Sequence, residues 1–392
     1  MQAGNLSSST YSLINGALLQ SGFANMKVFF DTAFADLYSQ VRWTQLYDSI
    51  DGNITGEYKQ VIGTKTLPVM ARYVAYDGEA PKISTDLITV SSKDMPRMKL
   101  GFDSNEKSML EIKKIMQQFN GTPPAQQIFN MFSKNAAELL TGLHNQISYT
   151  GLQILSTGKY TSTQANNGGG LVGLEFDFQV PAANKKKAGG FGTLGTKYAW
   201  SSSSADPIGD LMDIEAYAVA NFIPIGVFSM NQATWLVFKM HPNVRARVAI
   251  QFTNGAIDSA NLTKFSVTDA QINAYIAGLG IHPIEVINDL FSLPVYNEAT
   301  RTLEKSTIRG FADNTVVARP MGSFGELQWT FPDESYAAGA DYQFTTEGGK
   351  FLLTTITDAK KKATETFVEF TGIPVPNRID HTLYLDISQA AS

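Results

Sequence analysis

The longest regular pattern of apolar and polar positions lies in residues 124–157. Apolar residues recur there mostly every three or four positions, which stacks their side chains along one face of an α-helix. At about 1.5 Å per residue this helix would be roughly 50 Å long, and we call it the spine helix. The residues expected to form its apolar face include Ile128, Phe132, Leu139, Leu143, Ile147, Leu152 and Leu155.

Both ends of the spine helix carry terminating signals. Thr122 is suited to cap the first turn, and the two prolines that follow it suit positions where a missing N–H leaves no bond unmade. Gly158 is the expected stop. A coiled coil is the competing interpretation, but Gly142, Gly151 and the lack of strict heptads weigh against it.

A different pattern in residues 56–100 favours β-structure. Val, Ile, Thr and Tyr are frequent there and alternate with polar residues in places. The Asp77-Gly78 pair lies between two such runs, which predicts a long β-hairpin with its tip at 76–82. Because such a hairpin is marginal alone in water, it should lie on its own body or on another subunit. An ordinary sheet of the first domain is the alternative.

The remaining segments mix short helices and strands. We expect helices at 23–40, 104–119, 206–221, 231–248 and 268–278, and strands at 171–178, 223–230 and within 365–388. Asn231 should cap the helix that it begins. Because the order has no β-α-β rhythm, it predicts an α+β fold and not a doubly wound sheet.

Two segments have compositions that predict irregular structure. Residues 1–22 are rich in serine and should form an arm that is ordered only where something holds it. Residues 161–204 contain two glycine-rich stretches, which we expect to be flexible loops around one strand. The Lys185–Lys187 run in the second stretch could meet phosphate, but a solvated loop is the favoured interpretation.

Composition narrows the functional classes. The 392 residues include 31 basic and 36 acidic residues, a net charge of −5, so the whole chain should not attract nucleic acid strongly. There is no cysteine, which excludes disulfides, thiolate metal sites and cysteine nucleophiles. No run of 18 apolar residues occurs, so the sequence predicts no membrane-spanning helix.

Motifs for catalysis and for metal binding are missing from the sequence. The four histidines (His144, His241, His282 and His381) are scattered and lack metal-site spacing. His144 is expected to be a surface or packed helix residue. The Gly158-Lys159 pair lacks the earlier glycine of a phosphate-binding loop, and no G-x-S-x-G elbow occurs. We therefore expect no catalytic residue, no metal and no cofactor, and a protein that is not an enzyme.

The order of several short motifs resembles that of the lambda-like major head proteins of tailed phages. The spine helix ends in Leu155-Ser156-Thr157-Gly158-Lys159, and LEFDF follows at 174–178. Trp200, Asp206-Pro207 and Asp210-Leu211 are similar to the family's W…DP..DL helix opening, and 229–244 is similar to its next helix. Near the end, 372–376 followed by Asp380 resembles the closing strands.

This resemblance implies the Hong Kong 97-like capsid fold. The implied organisation is an N-terminal arm at 1–50, an extended β-hairpin loop at 51–100, a peripheral domain with the spine helix at 101–204, an axial domain at 205–360 and C-terminal strands at 361–392. The extended loop would lie across a neighbouring subunit. Its implied inter-subunit contacts are Tyr76, Asp77, Gly78, Glu79 and Lys82.

The implied function is a major capsid protein that self-assembles into the icosahedral head shell of a tailed bacteriophage. Expected partners are further copies in hexamers and pentamers, a separate scaffold protein, a portal, decoration proteins and double-stranded DNA bound without sequence specificity. Assembly is expected in the host cytoplasm, and the shell becomes part of the virion. A nanocompartment shell of the same fold around cargo enzymes is one alternative, and a soluble α+β enzyme or glycan-binding protein is another.

Overall fold

The computed structural model describes residues 41–62, 89–104, 125–167, 170–253, 267–297, 302–332, 342–358 and 363–391. The chain divides into two compact units. Unit 1 contains the described residues of Met1–Tyr58, Ser92–Ser148 and Glu326–Val375, and unit 2 contains those of Lys59–Ser91, Tyr149–Gly325 and Pro376–Ser392. Both units contain helices as well as strands, without a regular alternation of the two, so the fold belongs to the mixed α+β class.

Six α-helices occur in the described residues. They are α1 (Trp43–Leu46), α2 (Ala125–Thr157), α3 (Pro207–Ala220), α4 (Gln232–Met240), α5 (Pro242–Thr253) and α6 (Asp269–Gly278). The first strands are β1 (Tyr47–Ser49), β2 (Glu57–Ile62), β3 (Thr89–Asp94), β4 (Arg97–Ser104), β5 (Lys159–Thr161), β6 (Glu175–Asp177), β7 (Lys185–Ala188), β8 (Val227–Asn231) and β9 (Ile284–Ile287). The remaining strands are β10 (Leu290–Asn297), β11 (Thr302–Arg309), β12 (Thr315–Arg319), β13 (Gly325–Trp329), β14 (Tyr342–Thr346), β15 (Phe351–Asp358), β16 (Ala363–Pro376) and β17 (Leu383–Ala390).

Unit 1 is built on a six-stranded sheet. Its strands lie in the order β1-β13-β16-β15-β14, and β4 pairs antiparallel with β16. Strand β16 is rich in threonine, phenylalanine and branched residues, a composition that suits a pleated, half-buried surface. Phe370 and Phe351 are fully buried, and their rings lie 5.2 Å apart. This aromatic contact belongs to the core of unit 1.

Unit 2 is built on a five-stranded sheet in the order β7-β17-β12-β8-β9. Strand β12 pairs antiparallel with β17 and with β8, whereas both edge strands, β7 and β9, pair in parallel. Helices α3 to α6 contribute apolar residues to the same core as the sheet. Its largest members include Trp200, Phe228, Trp235 and Phe238.

The spine helix predicted at 124–157 is α2, Ala125–Thr157. It ends at Gly158, whose φ of +77° is a left-handed conformation that favours glycine. A β-carbon there would lie 2.1 Å from the Val180 side chain, so a close contact also requires glycine. Of the predicted apolar face, Leu139, Leu143, Ile147, Leu152 and Leu155 are all buried. The side chains of Ile128 and Phe132 lie outside the described residues.

The structure also tests the shorter predicted elements. The helices predicted at 206–221 and 268–278 are α3 and α6, and the strand predicted at 223–230 is β8. Asn231 caps α4, because its side-chain oxygen accepts a hydrogen bond from the Thr234 backbone N–H at 2.8 Å. The helix predicted at 23–40 lies outside the described residues, and so does the helix predicted at 104–119 except for Ser104, which ends β4.

Two predictions were wrong. The single helix expected at 231–248 is two helices, because the chain becomes extended at His241 before Pro242 begins α5. Proline restricts the residue before it to extended conformations, so the helix ends there. The Lys185–Lys187 run is not a loop but most of β7, which pairs with β17, almost 200 positions further along the chain.

The region predicted to be a hairpin is described at its base. Strands β2 and β3 pair with each other in a two-stranded sheet. The Met95 N–H also donates to the Gly56 carbonyl at 2.8 Å, which continues the pairing of the two arms. Residues 63–88, including the predicted tip, lie outside the described part of the chain.

Candidate functional site

The predicted contact residues of the hairpin tip, Tyr76 to Lys82, lie outside the described residues. The base of the same hairpin is anchored within unit 2 by Gln60, whose side-chain amide donates to the Phe178 carbonyl at 3.0 Å. The neighbouring Tyr58 is 3% exposed, and burial raises the pKa of its phenol to about 12. The hairpin therefore starts from a fixed, buried base.

A group of three carboxylates lies along α3 in unit 2. Asp206, Asp210 and Asp213 are spaced by four and three residues, which places them on one face of the helix. Asp206 caps the helix by accepting from the Gly209 N–H at 3.1 Å, and it pairs with Arg247. The other two aspartates face the glycine-rich segment 189–195.

Asp210 and Asp213 hold this segment through its backbone. One oxygen of Asp210 accepts from the Gly189 N–H at 2.8 Å, and the other accepts from the Trp200 indole N–H at 2.6 Å. Asp213 accepts from the N–H groups of Leu194 and Gly195, at 3.1 and 2.7 Å. The segment predicted to be a flexible loop is thus clamped at both ends by carboxylates.

The glycines of this segment permit the approach of the carboxylates. A β-carbon at Gly192 would lie 2.2 Å from an oxygen of Asp213, and one at Gly195 would lie 2.1 Å from an oxygen of Asp210. Sequence reasoning missed the clamp, although the signal was present. Three aspartates on one helix face, shortly after a glycine-rich run, are the pattern that could have revealed it.

The raised pKa of Asp210 could indicate a catalytic residue, but its contacts indicate a structural one. Burial raises its pKa to about 6, while the hydrogen bonds from Trp200 and Gly189 lower the pKa and the nearby charges of Asp213 and Asp206 raise it. A perturbed carboxyl in a cleft would be a candidate acid or base. Asp210 is only 2% exposed, however, and both of its oxygens already accept hydrogen bonds from the protein. We therefore assign it a structural role.

His144, on the spine helix, is also a packed residue. Its Nδ1 accepts the Trp43 indole N–H at 3.1 Å, so Nε2 carries the ring proton and donates to Glu347 at 2.8 Å. The Phe351 ring lies 4.8 Å from the imidazole. Because these groups surround a ring that is 3% exposed, His144 ties α1 to the spine helix within unit 1 and does not face a substrate.

A buried cation organises the sheet of unit 2. Arg319, at the end of β12, pairs with Glu285 of β9 at 2.9 Å and donates to the Ser229 hydroxyl of β8 at 3.2 Å. Ser229 in turn donates to Glu285 at 3.1 Å. These three residues link neighbouring strands, so their charge and hydrogen bonds serve the sheet.

Metal chemistry has no support in the described residues. No group of three or more His, Cys, Asp or Glu side chains that could hold a metal ion occurs in the part of the chain that the structure describes. Likewise, none of the helices within the described ranges is long and apolar enough to cross a membrane.

Comparison with known proteins decides the class. The family model for phage major capsid protein E matches residues 51–385, which span most of both units. The chain belongs to this family. It is a major capsid protein of a phage head shell, a structural protein and not an enzyme.

The solved structures that resemble the capsid protein are distant. A phage-related protein from Bordetella bronchiseptica RB50 has 12% identity and a TM-score of 0.45, and covers 96% of this chain and 97% of its own. The capsid of Myoviridae phage XM1 has 10% identity and a TM-score of 0.40, covering 89% and 90%. The satellite phage P4 procapsid has 8% identity and a TM-score of 0.41, covering 91% and 98%. No curated protein sequence matches the chain.

Proposed function

We propose that this capsid protein takes the Hong Kong 97-like fold and assembles, as hexamers and pentamers, into an icosahedral shell around the double-stranded DNA of a tailed phage. The observation that carries the proposal is the family match over residues 51–385. Each subunit would present different surfaces to its neighbours, and such heterologous contacts close into rings and then into a shell.

The proposed domains follow the order of the elements. Residues 1–50 form the arm, 51–100 the extended loop, 101–204 the peripheral domain, 205–360 the axial domain and 361–392 the closing strands. The length of α2 supports its role as the spine of the peripheral domain. The two compact units divide the chain differently, since their boundary falls within α2 between Ser148 and Tyr149.

The extended loop is the proposed link between subunits, with Tyr76, Asp77, Gly78, Glu79 and Lys82 as its contacts. Its described arms, β2 and β3, pair only with each other within the described sheets. A two-stranded ribbon of this kind gains little stability alone. Docking across a neighbour would bury it and cover its strand edges, which protects them from wrong pairing.

The proposed partners beyond the shell follow from the same role. They are a separate scaffold protein, a portal, decoration proteins and the packaged DNA, with assembly in the host cytoplasm. The net charge of −5 suits a container that holds DNA without binding it tightly or reading its sequence.

The test is the mass of the particles that the chain forms, measured by light scattering and followed by electron micrographs of the same sample. Uniform closed particles of megadalton mass that contain DNA in infected cells support the proposal. A species that stays at 42.8 kDa, or a small dimer, even with a co-expressed scaffold would overturn it. Particles that enclose an enzyme and no DNA would indicate a nanocompartment, which the family match does not favour.

A further inference from the structure

At one end of the five-stranded sheet of unit 2, the segments that adjoin the neighbouring strands β12, β8 and β9 contain no charged residue. These segments are 216–228, which leads from α3 into β8, 270–281, which leads through α6 towards β9, and 320–325, which follows β12. Charged residues make up 17% of the chain. Three uninterrupted uncharged segments that converge at one end of one sheet therefore depart from the rest of the sequence.

Hydrogen bonds place the three segments side by side. The Gly226 N–H donates to the Arg319 carbonyl at 2.9 Å, and the Phe228 N–H donates to the Pro283 carbonyl at 2.9 Å. A β-carbon at Gly226 would lie 2.6 Å from the Met321 backbone nitrogen, so the first and third segments are in direct contact. We call this surface the uncharged end.

The uncharged end exposes large apolar side chains. Val219 is 74% exposed, Met321 67%, Phe222 62% and Leu279 40%. Single exposed apolar residues are common, but several on converging segments without charges have the composition of an interface core. Two pairs of ionisable side chains border these segments, Glu215 with His282 and Arg319 with Glu285.

Phe222 is held outward against its own backbone preference. Its φ is +55°, and it occupies the left-handed position after α3 that usually belongs to Gly or Asn. The Ile223 N–H donates to the Ala218 carbonyl at 2.8 Å, which completes the helix-ending motif and turns Ile223 into the core. A bulky residue at this position costs backbone strain as well as an exposed aromatic ring. Neither cost benefits the isolated subunit.

The chemistry of the uncharged end selects its partner. DNA would require lysine or arginine for its phosphates, and these three segments have none. Copies of one chain arranged around a rotation axis bring the same surface of every copy together. Charged residues there would face their own equivalents and repel, whereas an uncharged apolar surface approaches its equivalents without that penalty.

We propose that the uncharged end of unit 2 binds a neighbouring copy of this chain, with Phe222 as its anchor, around the axis of a ring of subunits. This inference rests on the proposed function, because it names the surface through which the shell protein contacts itself. Phe222 is retained at a strained position because the contact in the assembled shell stabilises more than the strain costs.

The test compares three variants of the full chain. Phe222→Asn fits the left-handed turn but removes the ring, Phe222→Asp adds a charge at the same place, and Phe222→Tyr keeps the ring and is the control. For each protein we would measure the melting temperature of the subunit and the fraction of protein that sediments as shells. We expect an unchanged or raised melting temperature for Phe222→Asn, because the strain is relieved.

The fraction of protein that forms shells should fall in Phe222→Asn even though its melting temperature does not. Phe222→Asn should lower the shell fraction by at least about tenfold and Phe222→Asp should abolish shells, because every ring repeats the lost contact. Phe222→Tyr should assemble like the unmodified chain. If Phe222→Asn and Phe222→Asp form shells at normal yield, this proposal is overturned, and a different protein on the finished shell becomes the occupant. If the unmodified chain forms no shells with its scaffold, the proposed function itself is overturned.

Discussion

At the scale of single residues, the Asp210 carboxyl should make the stability of unit 2 depend on pH. Burial raises its pKa from 3.8 to about 6. The folded state therefore holds a proton that the unfolded chain releases, and the contribution of Asp210 is most favourable at low pH. That contribution is lost as the pH rises from about 4 to about 6.

We expect Asp210→Asn to remove this pH dependence. Each pKa unit corresponds to about 1.4 kcal/mol, so the change in unfolding free energy due to Asp210 approaches about 3 kcal/mol across the window. The measurement is urea unfolding of the variant and the unmodified chain at a series of pH values. The difference between the two unfolding free energies should vary with pH in this window and become constant above it. If the difference between the two unfolding free energies stays constant at every pH, the pKa of Asp210 is not raised in the folded state.

A second residue-scale prediction concerns the clamp on segment 189–195. Gly192→Ala places a β-carbon 2.2 Å from an oxygen of Asp213 and 2.9 Å from its Cβ, so the helix or the segment must shift. We expect a loss of about 1–3 kcal/mol in unfolding free energy. Gly278→Ala is the matched control, because nothing lies within 4 Å of a β-carbon at the last residue of α6. It should be neutral or stabilising by up to about 1 kcal/mol. Equal thermal melting of the two variants would refute the clamp.

These residues also mark what the sequence could and could not predict. The cap at Asn231 was predictable, because its partner is three positions away. The contacts of Asp213 with Leu194 and Gly195 join residues 18 to 19 positions apart, so the spacing of the aspartates on α3 indicates a carboxylate face but not the residues that it binds. The left-handed conformation of Phe222 could not be predicted for another reason, because it contradicts the local preference of its residue type.

At the scale of elements, the burial pattern of the spine helix supports a direct test. Ile147 is completely buried, whereas Asn145, two positions before it, is exposed. Ile147→Asp places an unpaired carboxylate among apolar side chains, and the loss of the side chain alone costs about 2–5 kcal/mol. We expect the subunit to unfold or to melt far below the unmodified chain in circular dichroism. Asn145→Asp should melt normally, and normal melting of both variants would show that this helix face was misassigned.

The elements that were predicted correctly are those whose signals are local. The spine helix follows from its own apolar spacing and from Gly158, and α6 follows from Thr268, which caps it through a reciprocal bond with Gln271. Strand β7 was missed because three successive lysines give no strand signal without β17 beside them. The break before α5 is also a local effect, because Pro242 holds the preceding His241 in an extended conformation.

At the scale of the whole molecule, the capsid protein combines buried polar groups that are bonded within a unit with elements that the described sheets and core leave uncovered. The buried polar groups of Asp210, His144 and Arg319 are all bonded within their own units. The ribbon of β2 and β3 joins no larger sheet in the described structure, and the uncharged end exposes apolar side chains. A subunit of a shell requires this division, because its fold must stand alone while its contacts form only on assembly.

The last prediction follows from that division and concerns the hairpin tip. Deletion of Tyr76–Lys82 should change the unfolding free energy of the subunit by no more than about 1 kcal/mol, because removal of the proposed loop tip should disturb no core. The same deletion should lower the yield and the thermal stability of shells, since each subunit loses one contact across its neighbour and many such contacts act together. Replacement of the tip by a Gly/Ser segment of equal length is the control for loop length, and it should fail in the same way because it lacks the contact side chains. Shells of normal yield and stability from both variants would show that the extended loop does not link subunits.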